Sequence, residues 1–357
     1  MAKLQKTIVV KIGSSVLADA AGAVNEKHIA TICRALADVQ RLGYAPVVVL
    51  SGAVSTGKQD GGLTLRQSQA SRGQWRLNAL FEMAGQALGL RFSLALLTRQ
   101  DIANRKRYTA LHETLHDLLS HGAIPVVNEN DAVGAGDISD FPDNDHLAAV
   151  VALALGAERL FLLTNVDGLY SGNPNKEKAV TLLEEITNVN KPLLAIARGK
   201  QSDLGRGGMV GKLRAARLAT AVGVPVHIFN GVHPEYLGAI LEGKQHGTLC
   251  RSRAHNALAL SMRDRWMLSA QNTGASIVID RGAVEALKKR KSLLAVGAKE
   301  MFGAFTKREV IEVLDEDKET VAVGLTEIAS DDLAPLLASR NKSHGVEVIH
   351  ANNLILL

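Results

Sequence analysis

The sequence predicts an α/β protein with a mainly parallel sheet, followed by a smaller β-rich domain. Apolar runs of strand length alternate with helical segments along the first two thirds of the chain, which is the pattern of βαβ units. After Trp266 the pattern changes to short strands with a single helix. A length of 357 residues also fits two domains better than one.

The strands and helices of the first domain follow one another in order. Six apolar runs predict strands, at Thr7–Ile12, Ala45–Leu50, Arg91–Leu97, Ala123–Asn128, Arg159–Thr164 and Val224–Phe229. Helices fit between them, at Glu26–Leu42, Trp75–Leu88, Tyr108–His121, Asp145–Leu155 and Gly211–Val222.

The remaining third of the chain has a different texture. Residues Thr248–Arg265 are rich in arginine and predict a linker or an interdomain strand. Beyond them, Ser276–Asp280 and Glu309–Leu314 predict strands, and Gly282–Arg290 predicts a helix. We therefore expect a second domain with its own β-rich core.

Composition excludes several classes of protein. A net charge of +5 over this length does not indicate a nucleic-acid-binding protein, and two distant cysteines offer neither a disulfide framework nor a CxxC metal site. The opening residues lack the pattern of a signal peptide, and no apolar run reaches the roughly 20 residues that span a bilayer. We expect a cytoplasmic enzyme with no membrane partner.

The segment between Val126 and Gly156 is the most informative part of the chain. Two clusters of carboxylates and amides, NEND at 128–131 and DNDH at 143–146, lie between an apolar strand and an Ala/Leu/Val helix. Unpaired polar groups are costly to bury, whereas the carboxyl end of a strand is where open α/β sheets bind small ligands. These groups suit a ligand with ammonium and carboxylate groups, such as an amino acid.

Three glycine-rich loops that follow strands or open a helix predict a phosphate site. They are VKIGSS at 10–15, VVLSGAVSTG at 48–57 and GRGGMVGK at 205–212. Backbone N–H groups at such turns bind anions without any side chain, and Lys11 and Lys212 add positive charge. The third loop lacks the pattern of a Walker A motif, because Arg206 stands where that motif needs glycine and Leu213 where it needs Ser or Thr.

The helix at 108–121 contains one motif that points elsewhere. His112 and His116 complete an HExxH pattern, the signature of zinc peptidases. No third ligand follows at the expected offset, and the leucines of the same helix account for its pattern as a core stripe. We predict no metal ligand there or elsewhere in the chain.

These residues resemble the amino acid kinase family, followed by a PUA domain. The matching segments are VVKIGSSVL (9–17), VVVLSGAVSTG (47–57), LLTRQD (96–101), PVVNENDAV (125–133), DNDHLAA (143–149), LLTNVDGLYSGNP (162–174), LGRGGMVGKLRAA (204–216) and, in the tail, IVIDRGAVEAL (277–287) and SLLAVGAKEMFGAF (292–305). The resemblance implies a three-layer αβα sandwich over residues 1–258 and a small β-rich PUA domain over 266–357. Within the family, NENDAV followed by DND points to the enzymes that phosphorylate glutamate.

The resemblance also implies an activity and a set of site residues. The activity is ATP-dependent phosphorylation of the L-glutamate side-chain carboxylate to L-glutamyl 5-phosphate, the first step of proline biosynthesis, with Mg²⁺. The implied catalytic residues are Lys11, Lys212 and Asp145, and the implied glutamate ligands are Ser51, Asp131 and Asn144. The implied ATP ligands are Lys11, Thr164, Asn165, Arg206, Gly207, Gly208, Met209, Val210, Gly211 and Lys212.

Some positions depart from the family's pattern, and some alternatives stay open. The family usually has Thr at the positions of Arg206 and Gly211 and Asp at that of Asn165, and Asp145 is also a candidate helix N-cap. A homo-oligomer is expected from the resemblance. The alternatives are a kinase of aspartate, N-acetylglutamate or carbamate, and an RNA-binding or regulatory protein with a decayed kinase site; RNA binding is not expected, because the tail lacks an aromatic stacking platform.

Overall fold

The computed structural model describes residues 6–59, 61–134, 141–172, 180–198, 208–252, 260–339 and 345–357. The chain divides into two compact units, Met1–Asp101 with Arg105–Ala259, and Ile102–Asn104 with Leu260–Leu357. None of the helices among the described residues is long and apolar enough to cross a membrane.

The first 250 residues contain eight strands and ten helices in the described ranges. The strands are β1 (Lys6–Ile12), β2 (Tyr44–Leu50), β3 (Phe92–Leu97), β4 (Ile124–Glu129), β5 (Arg159–Thr164), β6 (Glu185–Ile186), β7 (Val226–Asn230) and β8 (Thr248–Cys250). The helices are α1 (Ser14–Leu17), α2 (Glu26–Arg41), α3 (Ala53–Lys58), α4 (Arg66–Gln86), α5 (Arg99–Ala103), α6 (Arg105–Ser120), α7 (Asn144–Leu155), α8 (Lys191–Arg198), α9 (Gly208–Ala221) and α10 (Tyr236–Leu241).

The eight strands described here form one sheet in the order β3-β4-β2-β1-β5-β7-β8-β6. The first six strands in this order, β3, β4, β2, β1, β5 and β7, run parallel, whereas β8 runs antiparallel to β7. The predicted mainly parallel sheet is therefore confirmed. Strand β1 lies in the middle of this order. The chain first adds β2 on one side of β1 and later adds β5 on the other side.

Helices cover both faces of this sheet. Alternate residues of β1, such as Ile8 and Val10, pack on one face against α2, α4 and α10. On the opposite face, β1 contributes the buried Val9, and α7 contacts β1, β2, β4 and β5 while α9 packs on α7. This arrangement confirms the three-layer αβα sandwich and places Lys11, two residues after Val9, on the face of α7.

One helix starts much earlier than predicted. The helix expected from Trp75 begins at Arg66. The prediction missed its first turns because they are polar and carry no apolar stripe. Their packing is backbone to backbone: a Cβ on Gly73 would lie 1.8 Å from the carbonyl oxygen of Ala53 in α3. Only glycine allows this approach, so the backbones of α3 and α4 come into direct contact at this point.

The second unit is β-rich, as predicted. Its elements are α11 (Met262–Ala270), β9 (Asn272–Ile279), α12 (Arg281–Lys288), β10 (Leu293–Leu294), β11 (Ala298–Phe302), β12 (Val310–Leu314), β13 (Thr320–Thr326), α13 (Ser330–Ala338) and β14 (Glu347–Leu356). The described strands form a sheet in the order β10-β14-β13-β12-β9-β11 around a core that includes Ile277, Ile311 and Val348. A linker or an interdomain strand was predicted at Thr248–Arg265. Its first residues do form a strand, β8, but one that belongs to the larger sheet, and α11 begins at Met262; residues 253–259 lie outside the described ranges.

Candidate active site

The candidate site lies at the carboxyl end of the larger sheet. Lys11 is near the end of β1, Ser51 follows β2, Asn128 is near the end of β4 and Thr164 ends β5. Since these strands are parallel, their ends meet at one edge of the sheet. The reversal of direction between β2 and β5 makes this edge the usual ligand crevice of an open α/β sheet.

A buried cluster of two lysines and one aspartate forms the centre of this edge. The Nζ atom of Lys11 lies 2.8 Å from Oδ1 of Asp145, and the Nζ atom of Lys212 lies 3.0 Å from its Oδ2. Asp145 is completely buried, and both lysines are buried as well. The structure thus brings together all three residues predicted to be catalytic, from β1, α7 and α9.

Electrostatics keep the aspartate of this cluster ionised. Burial alone would raise the pKa of Asp145, but the two lysine ammonium groups hold that pKa below its ordinary value. Burial lowers the pKa of Lys11, with repulsion from Lys212 acting in the same direction, while attraction to Asp145 opposes both. One carboxylate therefore stabilises two cations that would be costly to bury without a partner.

A second aspartate lies against the first turn of α9. A Cβ on Gly211 would lie 2.3 Å from Oδ2 of Asp143, so the carboxylate occupies the space that a larger residue at 211 would need. Burial and the neighbouring Asp145 raise the pKa of Asp143 to about 6. Gly211, where the family usually has Thr, is thus matched to the position of Asp143.

Asp143 also caps α7, which corrects one interpretation made from the sequence. Its side chain accepts a hydrogen bond of 2.8 Å from the backbone N–H of His146. The helix N-cap is therefore Asp143, whereas Asp145 lies in the first turn and is free of the capping role. The two aspartates are only two positions apart, and the residue pattern does not say which of them caps the helix.

Neutral amides occupy the neighbouring strand ends. The Nδ2 atom of Asn144 donates to the carbonyl oxygen of Leu50 at 2.7 Å, to Oγ of Ser51 at 3.1 Å and to Oδ1 of Asn128 at 2.9 Å. The backbone carbonyl can only accept, which fixes the orientation of the Asn144 amide. Its carbonyl oxygen is then the atom left to accept a hydrogen bond from a ligand.

Two further amides extend this network into the core. The backbone N–H of Glu129 donates to Oδ1 of Asn128, so Nδ2 of Asn128 faces Gln74 and donates to its Oε1 at 2.6 Å. Asn128 and Gln74 are both buried. Neither residue was predicted to have a role, although Asn128 belongs to the NEND cluster at 128–131.

The predicted ammonium ligand Asp131 is paired with an arginine. Its Oδ1 lies 3.3 Å from Nη2 of Arg66, the first residue of α4. The Asp131 side chain is 19% exposed, so solvent or a ligand can reach it. Sequence reasoning missed Arg66, because the polar start of α4 gave no sign of where its residues would lie.

The predicted ATP ligands lie at the end of β5 and the start of α9. Thr164 is buried at the end of β5 and the adjacent Asn165 is exposed, while Gly208, Met209, Val210 and Gly211 form the first turn of α9. Arg206 and Gly207 lie outside the described residues. The first turn of a helix presents unpaired N–H groups, which suit phosphate oxygens.

The two histidines of the HExxH pattern lie one turn apart on α6. The imidazole rings of His112 and His116 stack with their centroids 6.1 Å apart. Among the residues that the structure describes, no three His, Cys, Asp or Glu side chains form a group that could hold a metal ion.

Comparison with known proteins identifies relatives over nearly the whole chain. The amino acid kinase family matches residues 6–230, and the PUA domain matches residues 275–350. Glutamate 5-kinase from Dehalococcoides mccartyi (strain CBDB1) is 34% identical over 370 residues, covering 99% of this chain and 98% of that protein. Glutamate 5-kinase from Vibrio vulnificus (strain YJ016) is 35% identical, covering 99% and 96% respectively.

A solved structure supports the fold independently. UMP kinase from Bacillus anthracis superimposes with a TM-score of 0.50 over 71% of this chain and 98% of its own, at 17% identity. At this identity the likeness concerns the fold alone.

Proposed function

Because the chain belongs to the amino acid kinase family, we propose that it transfers a phosphoryl group from ATP to the side-chain carboxylate of L-glutamate. The products are L-glutamyl 5-phosphate and ADP, and the reaction is the first step of proline biosynthesis. The observation that carries this proposal is the buried Lys11–Asp145–Lys212 cluster. It lies in the same layer of strand ends as an amide and carboxylate set suited to an amino acid.

The chemistry requires no general base. A glutamate side chain has a free pKa of about 4.3 and is ionised at pH 7, so it is already a nucleophile. One of its oxygens bonds to the γ-phosphorus of ATP while the bond from that phosphorus to the ADP oxygen breaks. The protein then has to position the two reactants and stabilise the negative charge on the transferred group.

Lys11 and Lys212 would provide that stabilisation. Each ammonium has three N–H donors. With Asp145 occupying one donor on each lysine, the others can contact the oxygens of the transferred phosphoryl group. Asp145 would position both lysines, and its lowered pKa keeps it from taking a proton at neutral pH.

The nucleotide would bind between β5 and α9. We assign phosphate contacts to the first turn of α9, from Gly208 to Gly211, and retain Arg206 and Gly207 as proposed ligands. Thr164 and Asn165 would contact the rest of the nucleotide.

Magnesium would enter with the nucleotide. Both oxygens of Asp145 are engaged by lysines, and the described residues provide no cluster of three metal-binding side chains. Mg²⁺ commonly binds through substrate phosphates and water rather than in a protein cage. We therefore treat Mg·ATP as the substrate complex and assign no residue of this chain to the metal.

Glutamate would bind at the amide end of the site. Nδ2 of Asn144 lies 3.1 Å from Oγ of Ser51, and the carbonyl oxygen of Asn144, which accepts no hydrogen bond from the described residues, can accept one from the substrate. Asp131 would pair with the α-ammonium group. The domain limits 1–258 and 266–357, a homo-oligomeric state, a cytoplasmic location and the absence of RNA binding stay predictions.

Trapping of the acyl phosphate tests this function. The purified protein is incubated with Mg·ATP, hydroxylamine and one acid at a time: L-glutamate, L-aspartate or N-acetyl-L-glutamate. Carbamate is tested separately, by measuring the release of ADP. We expect hydroxamate from L-glutamate alone, and none with Lys11→Ala. Hydroxamate from another acid in preference to L-glutamate would contradict the substrate assignment, and no product from any acid would contradict the kinase.

A further inference from the structure

Arg66 has more N–H donors than its ion pair with Asp131 uses. Nη2 of Arg66 lies 3.3 Å from Oδ1 of Asp131, and the arginine side chain is 51% exposed. Within the described part of the chain, Asp131 is the hydrogen-bond partner of this guanidinium, which has five N–H donors in all. Most of these donors therefore face solvent at the amino-acid end of the site.

Two contacts attach the start of α4, which carries this guanidinium, to the loop after β4. Arg66 is the first residue of α4, and its neighbour Gln67 donates from Nε2 to the carbonyl oxygen of Gly134 at 2.9 Å. The start of α4 is thus attached at two points to the loop that follows β4. Further along, Leu77 and Phe81 of α4 are fully buried in the core, so the helix is a firm support.

Recognition of a free α-amino acid needs two opposite charges side by side. The ammonium and carboxylate groups of such a ligand are both bonded to one Cα atom, so their protein partners must also be neighbours. An aspartate and an arginine 3.3 Å apart meet this requirement, and an arginine can bind a carboxylate with two parallel N–H donors. Lys11 and Lys212 are not suited to this task, because Asp145 holds both at the phosphoryl end.

We propose that Arg66 binds the α-carboxylate of the amino acid substrate beside Asp131, which binds its ammonium group. This proposal rests on the proposed function and names the residue that makes a free α-carboxylate a requirement for the substrate. An exposed ion pair contributes little to stability, so anchoring the start of α4 does not by itself account for this pair.

A comparison of two substrates with two forms of the enzyme tests the assignment. L-Isoglutamine keeps the ammonium group and the reacting carboxylate of L-glutamate but has a neutral amide in place of the α-carboxylate. Arg66→Met should lower kcat/KM for L-glutamate by about 10- to 100-fold, mainly through KM, because it removes hydrogen bonds to a charged group. The same variant should change kcat/KM for L-isoglutamine less than about threefold, since that acid lacks the partner group.

Two control variants sharpen the comparison. Arg66→Lys keeps a positive charge and should recover part of the preference for L-glutamate. Arg72→Met removes a second arginine of α4, one that lines the open groove beside Ala132, and should leave the ratio of the two substrates unchanged. If L-isoglutamine is bound without turnover, its inhibition constant against L-glutamate replaces kcat/KM.

The outcomes separate the two proposals. A wild-type protein that makes no hydroxamate from L-glutamate would overturn the proposed function itself. In an active wild type, equal losses for both acids with Arg66→Met would show that Arg66 only supports the loop after β4, and the assignment to the α-carboxylate would be wrong. A loss confined to L-glutamate would establish it.

Discussion

The two ends of the candidate site differ in how they use charge. At the phosphoryl end, two buried lysines share one fully buried aspartate. At the amino-acid end, the buried groups are neutral amides, from Asn128 and Gln74, and the charged pair of Arg66 and Asp131 is partly exposed.

This difference follows from what each end has to bind. The transferred phosphoryl group carries a charge that spreads during the reaction, and cations already buried and oriented stabilise that charge without rearranging. The amino acid arrives with its charges fully formed, so exposed partners can bind it and release it. We therefore expect changes at the phosphoryl end to act on kcat and on stability, and changes at the amino-acid end to act on the KM for glutamate.

The largest effect should come from Asp145→Asn. This change removes the carboxylate that pairs with two buried ammonium groups, which should lower the free energy of unfolding by about 3 to 5 kcal/mol and abolish hydroxamate formation. Urea denaturation followed by circular dichroism measures the loss. Adding Lys212→Met removes one of the two uncompensated charges and should recover part of the stability but none of the activity; an Asp145→Asn variant as stable as the wild type would contradict this electrostatic account.

Lys11→Met should lower kcat by about 100- to 1,000-fold while the KM for glutamate changes little, because it removes one donor to the transferred group. Lys6→Met is the matched control on the same strand, since the Lys6 side chain is 63% exposed and pairs with Glu158 at the surface. Steady-state kinetics with varied glutamate distinguish the two. A similar loss of kcat in both variants would mean that strand β1, rather than the ammonium group, is what the reaction needs.

A smaller effect, at the other end of the site, is expected from Gln74→Leu. The change leaves Nδ2 of Asn128 buried without an acceptor and loosens the amide that orients Asn144, so the KM for glutamate should rise about 10-fold. The KM for ATP should stay constant. Gln69→Leu is the control, because Gln69 is a buried glutamine of the same helix that donates to Leu63 outside this network; an equal rise in both variants would count against a role for Gln74 in positioning Asn144.

The smallest effect should be a pH-dependent gain in stability with Asp143→Asn. The pKa of Asp143 is raised from 3.8 to about 6 in the folded protein, so its contribution to stability is complete below pH 3.8 and is lost as the pH rises through 6. Asparagine keeps the N-cap but carries no charge. The free energy of unfolding of the variant should rise relative to that of the wild type by about 1 kcal/mol between pH 5 and pH 8, as thermal unfolding at the two pH values would show; a difference that is the same at both pH values would rule out titration of Asp143 as its cause.

Some of this arrangement could be predicted from the sequence because parallel strands bring distant loops together. Lys11 stands inside an apolar run, where an unpaired charge is unfavourable, and this favours a functional role for it. The role of Asp145, in the DND motif at the start of a helix, followed from the resemblance to the family. Both inferences depend on residues close to the ends of well-defined strands and helices.

The rest depends on contacts between elements that give no local signal. Gln74 and Asn128 are 54 positions apart, and the hydrogen bond between them follows only from how α4 packs beside β4. The polar start of α4 concealed both the true start of the helix and the position of Arg66. Which of Asp143 and Asp145 caps α7 likewise depends on the exact residue at which the helix begins. The residue pattern does not fix that position to within two residues.

The most direct test of the account follows the oxygen atoms of the reaction. L-Glutamate labelled with oxygen-18 in its side-chain carboxylate is incubated with Mg·ATP, hydroxylamine and the wild-type protein, and the released phosphate is examined by mass spectrometry. Attack by the carboxylate on the γ-phosphorus leaves one labelled oxygen in each phosphate after hydroxylamine cleaves the acyl phosphate, and Lys212→Met should release almost none. Unlabelled phosphate would mean that water is the acceptor, and the proposal of a glutamate-phosphorylating site would be wrong.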